Sequence, residues 1–434
     1  MRFHRVRFFR PAHLRRYLLS RERVTGKAGV TCIVAYGYIE LKCRHCQRNE
    51  GQGMSKSITL SGVLPAAGFQ RLLDAVRDAG FRTIGPRARN GAIVLDELSD
   101  VAELPVGWND EQVAGSYRAA KGSGDRLFDY VVGPTSWKRF LYPPRRELWH
   151  AQKEGQAWVP EAPADDFEPT AFLGVRNCDI AAIRTLDRVL LDSGYREPVY
   201  DSRRSKIFII AVSCAAPVST CFCTSMGGGP TPTDGFDLSL VELGSGNDHR
   251  FIISSGSERG AEIVSALNLD EVVERDLDAA ATQDRTSVEK INQVPAMANA
   301  RSTIAATMRS DHWDEVADRC LSCANCTLVC PTCFCVDIED TTDLSGTSVS
   351  RHQQWDSCFT MSHSYLHGGS IRKTTAARYR QWLSHKLGTW HDQFGSSGCV
   401  GCGRCVTWCP AAIDIRVELE ALEESLKEMT TEEA

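Results

Sequence analysis

The chain has 434 residues, 24% of them charged and 42% hydrophobic, and 18 are cysteines. The length allows two to four domains, and an ordinary apolar fraction excludes disorder over most of the chain. The longest apolar stretch, Ile207–Val212, is far below the roughly 18 residues of a spanning helix, and the acidic balance of residues 54–434, 38 Lys+Arg against 52 Asp+Glu, excludes wholesale nucleic-acid binding.

Residues 1–53 stand apart, with 12 Lys+Arg against 3 Asp+Glu. They contain no clean apolar core or small-residue cleavage site, so no secretory signal is read there and a cytoplasmic location is expected. Cys32, Cys43 and Cys46 offer three thiols without a clear fourth ligand, a weak zinc pattern. The segment is expected to be a basic extension, non-native or disordered, with the native start near Met54.

A mixed α/β domain is expected over residues 54–300. Ala66–Ala79 has helical periodicity and stops at Gly80, and short strands follow at Phe81–Ile84 and Ala92–Leu95 around a polar turn, Arg87–Gly91. Residues 143–169, rich in Pro and charge, read as a surface loop. Ala171–Val175, Asp179–Leu191 and Lys206–Ser213 read as strand, helix and strand, a parallel crossover. Phe236–Leu243 and Arg250–Ser254 resemble an antiparallel pair, before an amphipathic helix at Glu258–Leu267 and a polar, partly helical linker at Glu271–Ala300. Residues 301–416 are expected to form a mostly helical, ferredoxin-like domain, and residues 417–434 an acidic helix carrying Glu418, Glu420, Glu423, Glu424 and Glu428.

The chemistry lies in two cysteine runs. Cys320-x2-Cys323-x2-Cys326-x3-Cys330-Pro331 is the first, and Cys399-x2-Cys402-x2-Cys405-x3-Cys409-Pro410 the second. This spacing wraps three thiolates around one 4Fe–4S cube and sends the fourth, before Pro, to the other cube. Cys320, Cys323, Cys326 and Cys409 are therefore expected to hold one cluster, and Cys399, Cys402, Cys405 and Cys330 the second. Two zinc ribbons are the competing reading, but zinc asks for four ligands as two pairs. Between the runs, Ala376–His391 reads as a helix with Arg372, Lys373, Arg378 and Arg380 near its start. These could dock an acidic partner, stabilise a reduced cluster, or simply form a solvated face.

A looser set comprises Cys178, Cys214, Cys221 and Cys223, two of them at expected strand ends, where α/β folds place their sites. Four such thiols could hold a third cluster, or could be ordinary buried cysteines. Cys333, Cys335 and Cys358 are left over and expected to pack around the first cluster. Neither a G-x-G-x-x-G, a phosphate-binding P-loop nor a G-x-S-x-G is present, and no general acid/base pair can be picked out, so no catalytic residue is assigned.

The paired runs, Gly174-Val-Arg-Asn-Cys-Asp179, Cys221-Phe-Cys-Thr-Ser-Met-Gly-Gly-Gly-Pro230 and Arg378-Tyr-Arg-Gln-Trp-Leu-Ser-His-Lys386 together resemble the beta subunit of cytosolic nickel–iron (sulf)hydrogenases, a family that includes the iron–sulfur electron-transfer component of anaerobic sulfite reductase. The resemblance covers roughly residues 55–416. It implies a non-catalytic electron-transfer subunit relaying single electrons between an NAD(P)H-linked flavoprotein and the small and large subunits of a nickel–iron hydrogenase. A sirohaem sulfite reductase is the alternative terminal partner. A flavin-binding oxidoreductase in its own right is a rival from another class.

Overall fold

A computed structural model of the chain describes residues 31–35, 38–42, 58–131, 133–291 and 293–432. Two units are separated, Met1–Ser55 and Lys56–Ala434. In the first, strands Thr31–Ala35 and Tyr38–Lys42 pair antiparallel. The expected character of this arm, and the Cys32, Cys43 and Cys46 side chains, fall outside the described residues.

In the second unit β1 (Thr59–Pro65) leads into α1 (Phe69–Asp78), whose Phe69, Leu72, Leu73 and Val76 recur at helical spacing and are all buried. β2 (Arg82–Arg89) and β3 (Ala92–Leu98) form a hairpin. Both strands run longer than expected, because the turn is only Asn90-Gly91, with φ of 49° and 77°. That pair suits the primed turns that match strand twist, so Arg87 and Arg89 stay in β2 and face Glu103 and Asp96. Next come β4 (Arg145–Glu154), β5 (Ala157–Glu161), β6 (Thr170–Val175), α2 (Asn177–Leu190), β7 (Ile207–Val212), β8 (Leu238–Leu243) and β9 (Arg250–Ser255).

The main sheet has the order β1-β9-β8-β7-β6-β2-β3. Its four central strands are parallel, with Leu173 opposite Ile210 and Ile210 opposite Leu238, and the edges are antiparallel. Every residue of β6 and β7 is buried, as expected of parallel strands covered on both faces. Cys178 and Cys214 follow these two strands directly.

Residues 143–169 are not simply a loop. β4 and β5 pair with each other, and β4 pairs with β11 (Ser348–Trp355), which in turn pairs with β10 (Val336–Thr342). This four-stranded sheet joins the body to the segment between the cysteine runs. Its strands are mostly polar, and Ala151 alone is buried in β4, so no apolar alternation announces them.

α3 (Glu258–Ser265) and α4 (Glu274–Lys290) follow the main sheet, and the latter occupies most of the expected linker. α5 (His312–Arg319) runs into the first cysteine loop, α6 (Thr375–Ser384) packs against α5, and α7 (Ile415–Glu432) closes the chain. Glu418 of α7 is not a solvated tail residue. It is buried, pairing with Arg319 at 2.8 Å and His312 at 3.0 Å. Among the described residues no helix is long and apolar enough to cross a membrane.

Candidate metal centres

The two cysteine runs fold alike. After Cys320 the chain passes through the left-handed region at Ser322 (φ 50°) and Ala324 (φ 67°), then makes a single helical turn at Asn325–Leu328. After Cys399 it does so at Gly401 (φ 68°) and Gly403 (φ 75°), then turns at Arg404–Thr407. Two left-handed residues at the same offsets curl each loop into a concave strip whose amides can face sulfur. The Gly401 amide donates to Cys399 Sγ at 3.4 Å, and that of Ile413 to Cys409 Sγ at 3.3 Å.

Cys320, Cys323, Cys326 and Cys409 line one apolar cavity together with Phe359, Tyr379 and Trp382. The structure thus brings the last cysteine of the second run to the first three of the first run. Cys405 also reaches this wall. The Tyr379 hydroxyl and Trp382 indole N–H are buried with no partner among the described residues, as donors beside an absent acceptor would be. Cys323 is exposed, so this centre lies nearest the surface.

Around the second run, burial pushes the Cys405 thiol well up, reinforced by the thiolates of Cys399, Cys330 and Cys402. Burial likewise raises Cys399 to about 12. Thiols so placed favour metal ligation over free thiolate, since a bound metal replaces the proton. Cys330 differs. A hydrogen bond from Cys333 and the ammonium of Lys386 hold it well below the ordinary thiol value. Lys386 Nζ donates to Cys330 Sγ (3.4 Å), Thr332 Oγ1 (2.9 Å) and the Gly398 carbonyl (3.1 Å). Burial opposes its charge, but Cys330, Cys333 and Cys399 outweigh it and raise its pKa.

Cys178, Cys214, Cys221 and Cys223 line a second enclosed cavity. Cys178 sits in the first turn of α2, Cys214 just beyond β7, and Cys221 and Cys223 on the loop leading to a 3-10 turn at Cys223–Met226. Gly401, Cys402 and Arg404 of the second run form part of the same wall. The contact is intimate. Phe222 N donates to the Gly401 carbonyl at 2.9 Å, and a Cβ on Gly401 would stand 2.6 Å from Cys223 N. Arg404 is buried, pairs with Asp179 at 2.9 Å, and has Nε and Nη1 without partners among the described residues. A buried cation with free donors on a thiol-lined cavity fits an anionic occupant. Burial pushes all four thiols upward, Cys223 to about 12.

Among the described residues no three His, Cys, Asp or Glu side chains converge as one metal ion requires. The thiols surround cavities instead. Of the leftover cysteines, Cys333 lies on Cys330, and the Cys335 carbonyl accepts from Asp356 N. Arg378 and Lys386 are buried rather than set on a solvated helix face, and Arg404, Asp179 and Lys138 are site residues that spacing did not single out. Lys138 Nζ donates to the Cys333 carbonyl at 2.8 Å.

Residues 319–413 match the family described as a 4Fe-4S dicluster domain. Over 361 residues the chain is 30% identical to sulfhydrogenase 2 subunit beta of Pyrococcus furiosus, covering 82% of this chain and 97% of that protein. The chain belongs to the sulfhydrogenase beta-subunit family. No solved structure matches it. This beta-subunit homologue is therefore an iron–sulfur protein with an electron-transfer role, and its dicluster domain accounts for two 4Fe–4S clusters.

Proposed function

We infer that the chain is a cytoplasmic relay passing single electrons between an NAD(P)H-linked flavoprotein and a nickel–iron hydrogenase module. In this reading Cys320, Cys323, Cys326 and Cys409 hold one cluster, Cys399, Cys402, Cys405 and Cys330 the second, and Cys178, Cys214, Cys221 and Cys223 a third. Bound there, each 4Fe–4S cluster supplies a one-electron couple. The protein's part is to hold the thiolates, exclude water and set the local charge through Lys386 and Arg404.

The observation that carries the reading is the shared walls. Cys402 borders the body cavity and Cys405 borders the first-run cavity, so the three thiol sets follow one another through the molecule. Nothing among the described residues offers a proton-transfer pair in either cavity, which suits a conductor rather than a site of bond chemistry.

The test is to purify the native complex under anaerobic conditions, assay nickel and sirohaem, and add NADPH. Nickel, with bleaching of the iron–sulfur absorbance by NADPH, is expected. Sirohaem in place of nickel would move the chain to the sulfite reductase branch. Flavin released from the isolated chain would make it an oxidoreductase in its own right and overturn the relay.

A further inference from the structure

The first-run cavity opens at Cys323, and the surface around that opening is unusually apolar. Leu321 is 67% exposed, Met361 51%, Tyr365 64%, Leu366 59% and Ile371 58%. These residues come from two segments held together beneath the surface. Arg378 donates to Met361 Sδ at 2.7 Å and to Ser322 Oγ at 3.3 Å, and Ser322 in turn bonds Thr375. A two-stranded turn, Tyr365–Leu366 against Gly369–Ser370, projects from this support, and Arg372 braces it through Ser364 at 3.0 Å. Apolar side chains gathered in this way mark an interaction site more often than an ordinary surface.

The charge around the patch is one-sided. Residues 357–391 contain five Lys+Arg and no Asp or Glu, in a body that is otherwise acidic. Arg378 and Lys386 are buried, while Lys373 is exposed and Arg372 half-exposed beside Ile371. An apolar centre with a basic rim, over the one cysteine of the runs that reaches the surface, suits a negatively charged protein bringing a redox centre close to Cys323.

We propose that this face, built from the Cys320–Ala324 loop and residues 361–373, is the docking surface for an acidic electron-transfer protein that exchanges one electron with the cluster at Cys320, Cys323, Cys326 and Cys409. One centre is oxidised as the other is reduced, and no atoms are exchanged. The inference rests on the cluster reading given above.

The test uses the full chain with its clusters and two protein probes. Reduced plant-type 2Fe–2S ferredoxin is the acidic donor, and oxidised cytochrome c is a basic acceptor for the pre-reduced chain. In stopped-flow mixing, Arg372→Glu with Lys373→Glu should slow electron uptake from ferredoxin by about tenfold or more, flatten its salt dependence, and speed transfer to cytochrome c. Lys373→Glu alone, which leaves the Arg372–Ser364 brace in place, should shift both rates in the same directions. Bleaching by dithionite, a small reductant, should match the unmodified chain. Unchanged ferredoxin and cytochrome c rates in a chain with normal iron–sulfur absorbance would overturn the docking surface alone. Absence of iron–sulfur absorbance in the unmodified chain would overturn the cluster reading, and the docking proposal with it.

Discussion

Arg404 and Asp179 are buried together where the second cysteine run meets the body, and each needs the other. Asp179 also accepts from Arg176 N at the start of α2, so it orders the turn that presents Cys178. Removing the carboxylate charge leaves a buried guanidinium uncompensated, a loss of about 3–5 kcal/mol. Asp179→Asn should therefore lower the denaturation midpoint of the cluster-loaded chain by an amount in that range. Arg404→Gln addresses a different property. Burial opposes the charge of Arg404, but Asp179, Cys402 and Cys178 together keep it protonated. A fixed cation beside the Cys402 and Cys178 centres favours their reduced, more negative states. Its removal should lower the reduction potentials of those two centres and leave the Cys320 centre unchanged. A potentiometric titration followed by electron paramagnetic resonance reads this directly. Equal shifts at all three centres would contradict the local placement of Arg404.

The two cysteine loops share a backbone course but not a sequence, and the differences have physical causes. At the offset where the first loop uses Ser322, the second uses Gly401, because Gly401 lies against the backbone of Phe222 and Cys223. Gly401→Ala would add a left-handed residue with a Cβ 2.6 Å from Cys223 N, at a cost of about 2–4 kcal/mol. The expected result is a lower melting temperature and loss of colour from the second and body centres. Ser322→Gly, at the matching offset, should change stability by less than about 1 kcal/mol, since no such contact is released. Much at this scale was legible in the sequence. Cysteine spacing brought the eight run thiols into their two groups, and β6, α2 and β7 followed from buried-type runs and helical periodicity. The β4–β5 hairpin and its pairing with β11 were not legible, because polar strands covered on one edge leave no period to read. Lys386 and Arg404 escaped for another reason. Their partners, Cys330 and Asp179, lie 56 and 225 residues away, and a basic residue in a helix ordinarily signals solvent.

At the scale of the molecule, charge and thiols are both unevenly placed. Residues 54–434 are acidic overall, while the stretch beside Cys323 is basic, so an acidic partner is repelled over most of the surface and drawn to one place. From there the thiol sets lead inward, from the first-run cavity past Cys405 to the second run, and past Cys402 to the body cavity between β6 and β7. The eighteen cysteines divide accordingly. Eight belong to the runs and four to the body cavity. Cys333, Cys335 and Cys358 lie around Lys138 and Lys386, and three lie in the N-terminal arm. The central claim is that three thiol sets, not two, hold clusters. The most direct measurement is iron and acid-labile sulfide per chain in the anaerobically purified protein, alongside Cys221→Ser with Cys223→Ser. About twelve iron atoms, falling to about eight in the double variant with the dicluster signals intact, is the predicted result. About eight in both, or zinc in place of iron, would contradict it.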